Sequence, residues 1–167
     1  MRTSTPLPLR MLLHADGTVT TLLEACFGAP VVVETIANEV DDRLPTPLEL
    51  ELPPHRPVLW RQVVLHADDR PVLRASSVLA LDRLDERTRE ALLAGDEPIG
   101  HVLRGLDTRR EMLARDAGEA IAADQLDLGV EAGELVHSRT YRILSGAHPL
   151  AVVSERITAS VFDRLDP

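Results

Sequence analysis

Two stretches of the chain read as β-hairpins, and they limit the possible fold more than any other feature of its 167 residues. The first is PVLWRQVVLHA, a short ADDR turn and RPVLRASSVLAL; the second is ELVHSRTYRILS, a GAHP turn and PLAVVSERITASVF. Each limb alternates in side-chain direction and is rich in Val, Leu and Ile, the pattern of a half-buried strand. The linking segments are too short for a crossover, so the limbs of each pair are antiparallel neighbours. PVVVETIANEV (30–40) supplies a further β-branched strand.

The remaining segments read as helices and loops. LRMLLHADGTVTTLLEACFG breaks at Asp16-Gly17 and one helix follows, with Thr21 and Glu24 spaced as a capping box and Gly28 as its stop. Pro45, Pro47, Pro53, Pro54 and Pro57 exclude a helix running through their stretch. LDERTREALLAG is a short helix capped by Asp85 and ended by Gly95, and EPIGHVLRG is a loop or a single helical turn. TRREMLARDAGEAIAADQLDLGV fits a strand then a helix better than one long helix. Four or five strands joined mostly by turns, with helices gathered between them, predict an α+β domain built on an antiparallel sheet and spanning 1–167.

Composition removes several function classes. The net charge is −9, with 27 acidic against 18 basic residues, and no basic patch stands out, which disfavours a nucleic-acid partner. One Trp, one Tyr and two Phe offer few platforms for stacking bases. No apolar run approaches the ~20 residues of a membrane span, so no membrane partner is expected and the cytoplasm is the expected location. Cys26 is the only cysteine, which excludes an internal disulfide and clustered-cysteine metal sites, and the six histidines show no metal-ligand spacing. All 18 basic residues are arginine, so Schiff-base, pyridoxal phosphate and P-loop lysine chemistry are absent. Arginine favours two-pronged recognition of carboxylate or phosphate, and an acidic protein that binds a small anion must shelter such groups in a pocket.

Strand parity locates candidates for that role. Arg61 shares a face with Leu59, Val63 and Leu65, and Glu155 shares one with Ala151, Val153 and Ile157. An unpaired charge in such surroundings costs several kcal/mol, so each needs a partner: the other charge, a ligand, or water at a strand end. Arg139 stands in line with His137, Tyr141 and Ile143, and Arg74 with Val72, Ser76 and Val78.

Taken in order, ADGTVTTLLEACFG, VLWRQVVL, RPVLRASSVLAL, DEPIGHVL, SRTYRILSG and PLAVVSERI resemble the chorismate pyruvate-lyases and their actinobacterial-type relatives, from about residue 10 to 162. The resemblance implies a six-stranded antiparallel sheet, with helices packed around it and a ligand held beneath flaps. It implies removal of pyruvate from chorismate, a small dianion, to leave 4-hydroxybenzoate without metal or organic cofactor; the oligomeric state is not set by the sequence. Arg61 matches the arginine that grips the ring carboxylate, and Glu155 the glutamate that meets the ring hydroxyl. Ile99 and Gly100 fall on the P-[LI]-G loop beside the pocket, and Arg139 matches the arginine ahead of the Ser-Gly turn. Ala75-Ser76-Ser77 stands where a Gly-Arg-Thr-like triplet is expected, so either Arg139 or Arg74 is left to hold the side-chain carboxylate.

The effector domains of some bacterial transcription regulators resemble the same fold, which makes a sensor of aromatic carboxylates the alternative to an enzyme. Such regulators carry a basic winged-helix region ahead of the effector domain, whereas here the domain begins almost at once, which favours the enzyme.

Overall fold

A computed structural model describes residues 5–43, 46–163 and 165; Pro45 lies outside the described residues. Six antiparallel strands form one sheet: β1 (Val31–Asp41), β2 (Val58–Ala67), β3 (Arg70–Ala80), β4 (Thr108–Glu119), β5 (Leu135–Ser145) and β6 (His148–Thr158). They lie in the order β1-β2-β3-β6-β5-β4, so the two expected hairpins, β2/β3 and β5/β6, meet side by side at the centre. The fold is α+β, and its six strands exceed the four or five read from alternation because β4 pairs along the outer edge of β5. The first hairpin turns through Asp68 and Asp69 at φ 51° and 58°, the backbone that a two-residue turn needs to match strand twist.

The described residues also include five α-helices, α1 (Leu7–His14), α2 (Val19–Phe27), α3 (Glu86–Ala94), α4 (Ile99–Val102) and α5 (Ala122–Leu128), besides three short 3-10 turns. Two helices occupy the segment where the sequence suggested one, because Pro6 and Pro8 sit at the start of α1, where a missing N–H costs nothing. The cap of α2 is Thr18 rather than Thr21: its side chain accepts the Thr21 N–H, while Glu24 accepts the N–H of Val31. Asp85 caps α3 and Gly95 ends it at φ 83°, both as expected. The segment from Thr108 is a strand followed by a helix, as favoured.

One face of the sheet carries two apolar clusters. The first joins Leu9, Leu12 and Leu23 of α1 and α2 to Val63, Leu73 and Ile157. The second joins Leu92 and Leu103 to Leu59, Leu79, Ile143 and Val153. Arg61 stands on its strand between Leu59 and Val63, and Glu155 between Val153 and Ile157, so a polar seam separates the two clusters along the middle of the sheet.

The opposite face is closed by ion pairs to α5. Arg156 reaches the fully buried Asp124 at 2.7 Å and Arg74 reaches Asp127 at 2.7 Å. Burial pushes the Asp124 carboxyl up from its ordinary 3.8, but the hydrogen bonds from Arg156 and the Ile121 N–H, with the charges of Arg156 and Arg74, outweigh it, so the net displacement is downward. A carboxyl held low in the folded state stabilises the fold above its unfolded pKa and loses that contribution as pH falls through the folded value. We therefore expect the melting temperature to drop below about pH 4, and Asp124→Asn to flatten that drop when melting is followed by circular dichroism across pH 2–7.

Candidate active site

The seam opens into a cavity between the sheet and two flaps. Its floor includes Arg61, Ser77, Tyr141 and Glu155, Arg110 enters from β4, and Ile99 and Gly100 belong to one flap, with Thr18 to Thr20 on the other. The cavity volume is about 40 Å³, room for water rather than for an aromatic acid. The flaps touch closely: a Cβ on Gly100 would lie 2.8 Å from the Cβ of Thr18, and only glycine fits there. The first turn of α2 adds backbone N–H groups that helix geometry leaves without helical acceptors, at the end of the dipole that favours anions.

Arg61, 1% exposed, owes its direction to the end of α3. Its Nη2 donates to the carbonyl of Gly95 at 2.9 Å and to that of Glu97 at 2.7 Å, while its Nε is buried without a partner. The left-handed conformation at Gly95 turns that carbonyl toward the arginine, and a Cβ there would press on Asn38 at 3.2 Å. Burial pushes the guanidinium pKa down and the charge of Asp96 partly restores it; an arginine so placed remains a cation.

Glu155, 3% exposed, does not pair with Arg61. Its neighbour across the strands is Arg139, whose Nε donates to Oε2 at 2.5 Å, and the Tyr141 hydroxyl donates to Oε1 at 2.7 Å. Burial first, and then the adjacent Glu155 charge, drive the Tyr141 hydroxyl pKa well up, so it stays protonated as a donor. Nη1 of Arg139 also donates to the carbonyls of Leu12 and Ala15, which ties α1 to the seam, and its Nη2 is buried without a partner.

Of the residues singled out from the sequence, Arg61, Glu155, Ile99 and Gly100 meet at the cavity, and Arg139 supports it from behind Glu155. Arg74 does not meet them. The register sets Arg61 opposite Ser77, and Arg74, an odd number of residues away, projects to the other face, where Asp127 holds it. It is therefore corrected from a site residue to a fastener of α5. Sequence reading missed Arg110 as a site residue and left Tyr141 without a role, although both lie in rows facing the helices.

This geometry defines a class: an α+β fold whose sheltered cavity is lined by arginine and closed by two flaps. Residues 13–163 match the family described as Chorismate pyruvate-lyase Rv2949c-like, and the chain belongs to that family. It is 27% identical over 161 residues to a chorismate pyruvate-lyase of Mycobacterium tuberculosis, covering 92% of this chain and 81% of that protein. A chorismate pyruvate-lyase of Mycobacterium leprae is 28% identical, with coverage of 92% and 75%. Among solved structures, the effector domain of PhnF from Mycobacterium smegmatis matches with a TM-score of 0.69 at 15% identity, over 86% of this chain and 90% of that one. The C-terminal domain of the histidine utilization repressor from Pseudomonas syringae gives 0.65 at 16%, over 82% and 96%. At these identities the two structures share the fold.

Removing one member of the buried pair leaves the other as an uncompensated charge. Glu155→Ala is expected to lower unfolding free energy by about 3–5 kcal/mol in urea titrations, and the double variant Arg139→Met/Glu155→Leu to recover most of that loss. Equal losses in the single and double variants would show that the pair's geometry matters less than the space it fills.

Proposed function

We propose that the protein removes pyruvate from chorismate to give 4-hydroxybenzoate. The observation that carries this reading is Arg61, a buried cation with an unpartnered N–H at a cavity that Glu155 also lines. A ring with a carboxylate at one end and a hydroxyl at the other suits that pair. The carboxylate accepts from Arg61 and from the first turn of α2, and the hydroxyl donates to Glu155. Membership of the lyase family supports the same substrate.

In this reading the protein works by position and fixed charge. A proton leaves the ring carbon that bears the hydroxyl, and the electrons of that C–H bond form the last double bond of the aromatic ring. The ether C–O bond breaks, and enolpyruvate departs and ketonises to pyruvate. The proton passes to a base or to the departing enolpyruvate itself. Aromatisation supplies the driving force, so the elimination calls for no organic cofactor, metal or strong nucleophile. Arg139 and Tyr141 are positioning residues here: they hold the two oxygens of Glu155. A chain with one cysteine and a small soluble substrate fits a cytoplasmic setting.

The second reading, a sensor that binds an aromatic carboxylate without turning it over, draws on the regulator effector domains that share the fold. Incubation with chorismate, with pyruvate followed through a coupled lactate dehydrogenase assay, separates the two. Turnover supports the lyase, with kcat/KM falling about 100-fold in Arg61→Ala and less in Arg61→Lys, the scale of one lost charge-assisted hydrogen bond. Tight binding of 4-hydroxybenzoate with no pyruvate would support the sensor.

A further inference from the structure

Arg110 differs from the other sheltered arginines of the molecule. Among the described residues, each of the others that is not exposed gives at least one N–H to a protein acceptor. Arg74, Arg139, Arg142 and Arg156 donate to carboxylates, and Arg61, Arg83 and Arg89 to carbonyls. Arg110 is partly buried, lines the cavity, and has its Nε buried with no partner. It stands opposite Ile143 on the row that continues to Met112 and faces the helices. Its guanidinium carbon lies 5.9 Å from the centre of the Tyr141 ring, an attractive cation–π distance that holds it beside the hydroxyl bound to Glu155.

The charges around the cavity are unequal. Arg61, Arg110 and Arg139 bring three positive charges to one region, and Glu155, bonded to Arg139, cancels one of them. Arg61 is fixed by Gly95 and Glu97, which leaves it one direction in which to take an acid. Arg139 already serves Glu155, Leu12 and Ala15. Arg110 remains, without a counter-charge in the cavity.

We propose that Arg110 is the second anion anchor of the cavity and the residue that selects ligands with two acidic groups over ligands with one. The inference rests on the reading that Arg61 takes the ring carboxylate. It assigns to β4 the grip that the sequence had left to Arg139 or Arg74. It also separates substrate from product: the ligand is a dianion before elimination, whereas the aromatic product has lost the acid that Arg110 would hold.

The test uses three stable benzoates and isothermal titration at one ionic strength. They are 4-hydroxybenzoate, 3-(carboxymethoxy)benzoate with a second acid on an ether arm, and 3-(2-hydroxyethoxy)benzoate with a neutral arm. The wild-type protein is expected to bind the dicarboxylate about tenfold or more tightly than its neutral counterpart, on the scale of one charge-assisted hydrogen bond. Arg110→Gln removes that preference and leaves affinity for both monocarboxylates within about twofold, while Arg110→Lys keeps part of it. Since Arg110 makes no hydrogen bond to the protein among the described residues, its replacement leaves no partner stranded. Wild-type protein that binds 4-hydroxybenzoate without preferring the dicarboxylate, or an Arg110→Gln variant that weakens all three ligands equally, would overturn this proposal alone. Wild-type protein that binds none of the three would overturn the reading of the cavity and the proposal with it.

Discussion

The ion pair between Arg139 and Glu155 sets the terms for the rest of the structure. Two charges that are 1% and 3% exposed cannot stand among Val153, Tyr141 and Ile157 unless each satisfies the other, and adjacent strands bring them together at directly opposed positions. Their presence splits the apolar face into two clusters, one under α1 and α2 and the other under α3 and α4. The interval between the clusters is the cavity. Arg139 extends the constraint outward by donating to the end of α1, so the same side chain orients the carboxylate and anchors the helix that precedes a flap.

Arg61 stands in the same seam under a different rule. Its acceptors are two carbonyls at the end of α3, which fix its direction without cancelling its charge. A buried guanidinium held in this way is poised for an external carboxylate, because the cost of its burial falls when a ligand completes its hydrogen bonds. Pre-set donors and fixed charge suit an elimination that needs alignment more than a reactive side chain. The same features would also suit a receptor, which is why one fold serves lyases and regulator domains.

Much of this was legible in the sequence because strands have a period of two. A lone charge in an apolar row betrayed Arg61, Glu155 and Arg139, and antiparallel pairing put the three rows on one face. Parity could not say which face of β3 was covered by the flaps, since Val72 and Val78 alternate with Leu73 and Leu79 and both rows are apolar; Arg74 was misplaced for that reason. Nor could it show that Glu155 belongs to Arg139 rather than Arg61, which depends on the order of strands in the sheet. Arg110 escaped because the bounds of β4 and the strand it pairs with were not set by its pattern, and its register slips between Met112 and Ala114. The first helix was hidden by Pro6 and Pro8, residues that break a helix interior but suit its start.

A crystal structure of the protein soaked with 4-hydroxybenzoate tests the central claim most directly. The account predicts the ligand carboxylate within about 3 Å of Arg61 Nε and the ligand hydroxyl within similar reach of Glu155. The Arg139–Glu155 pair should be intact and the α2 and α4 flaps displaced around the ring. A ligand found outside the seam, or an Arg61 turned away from the carboxylate, would contradict it.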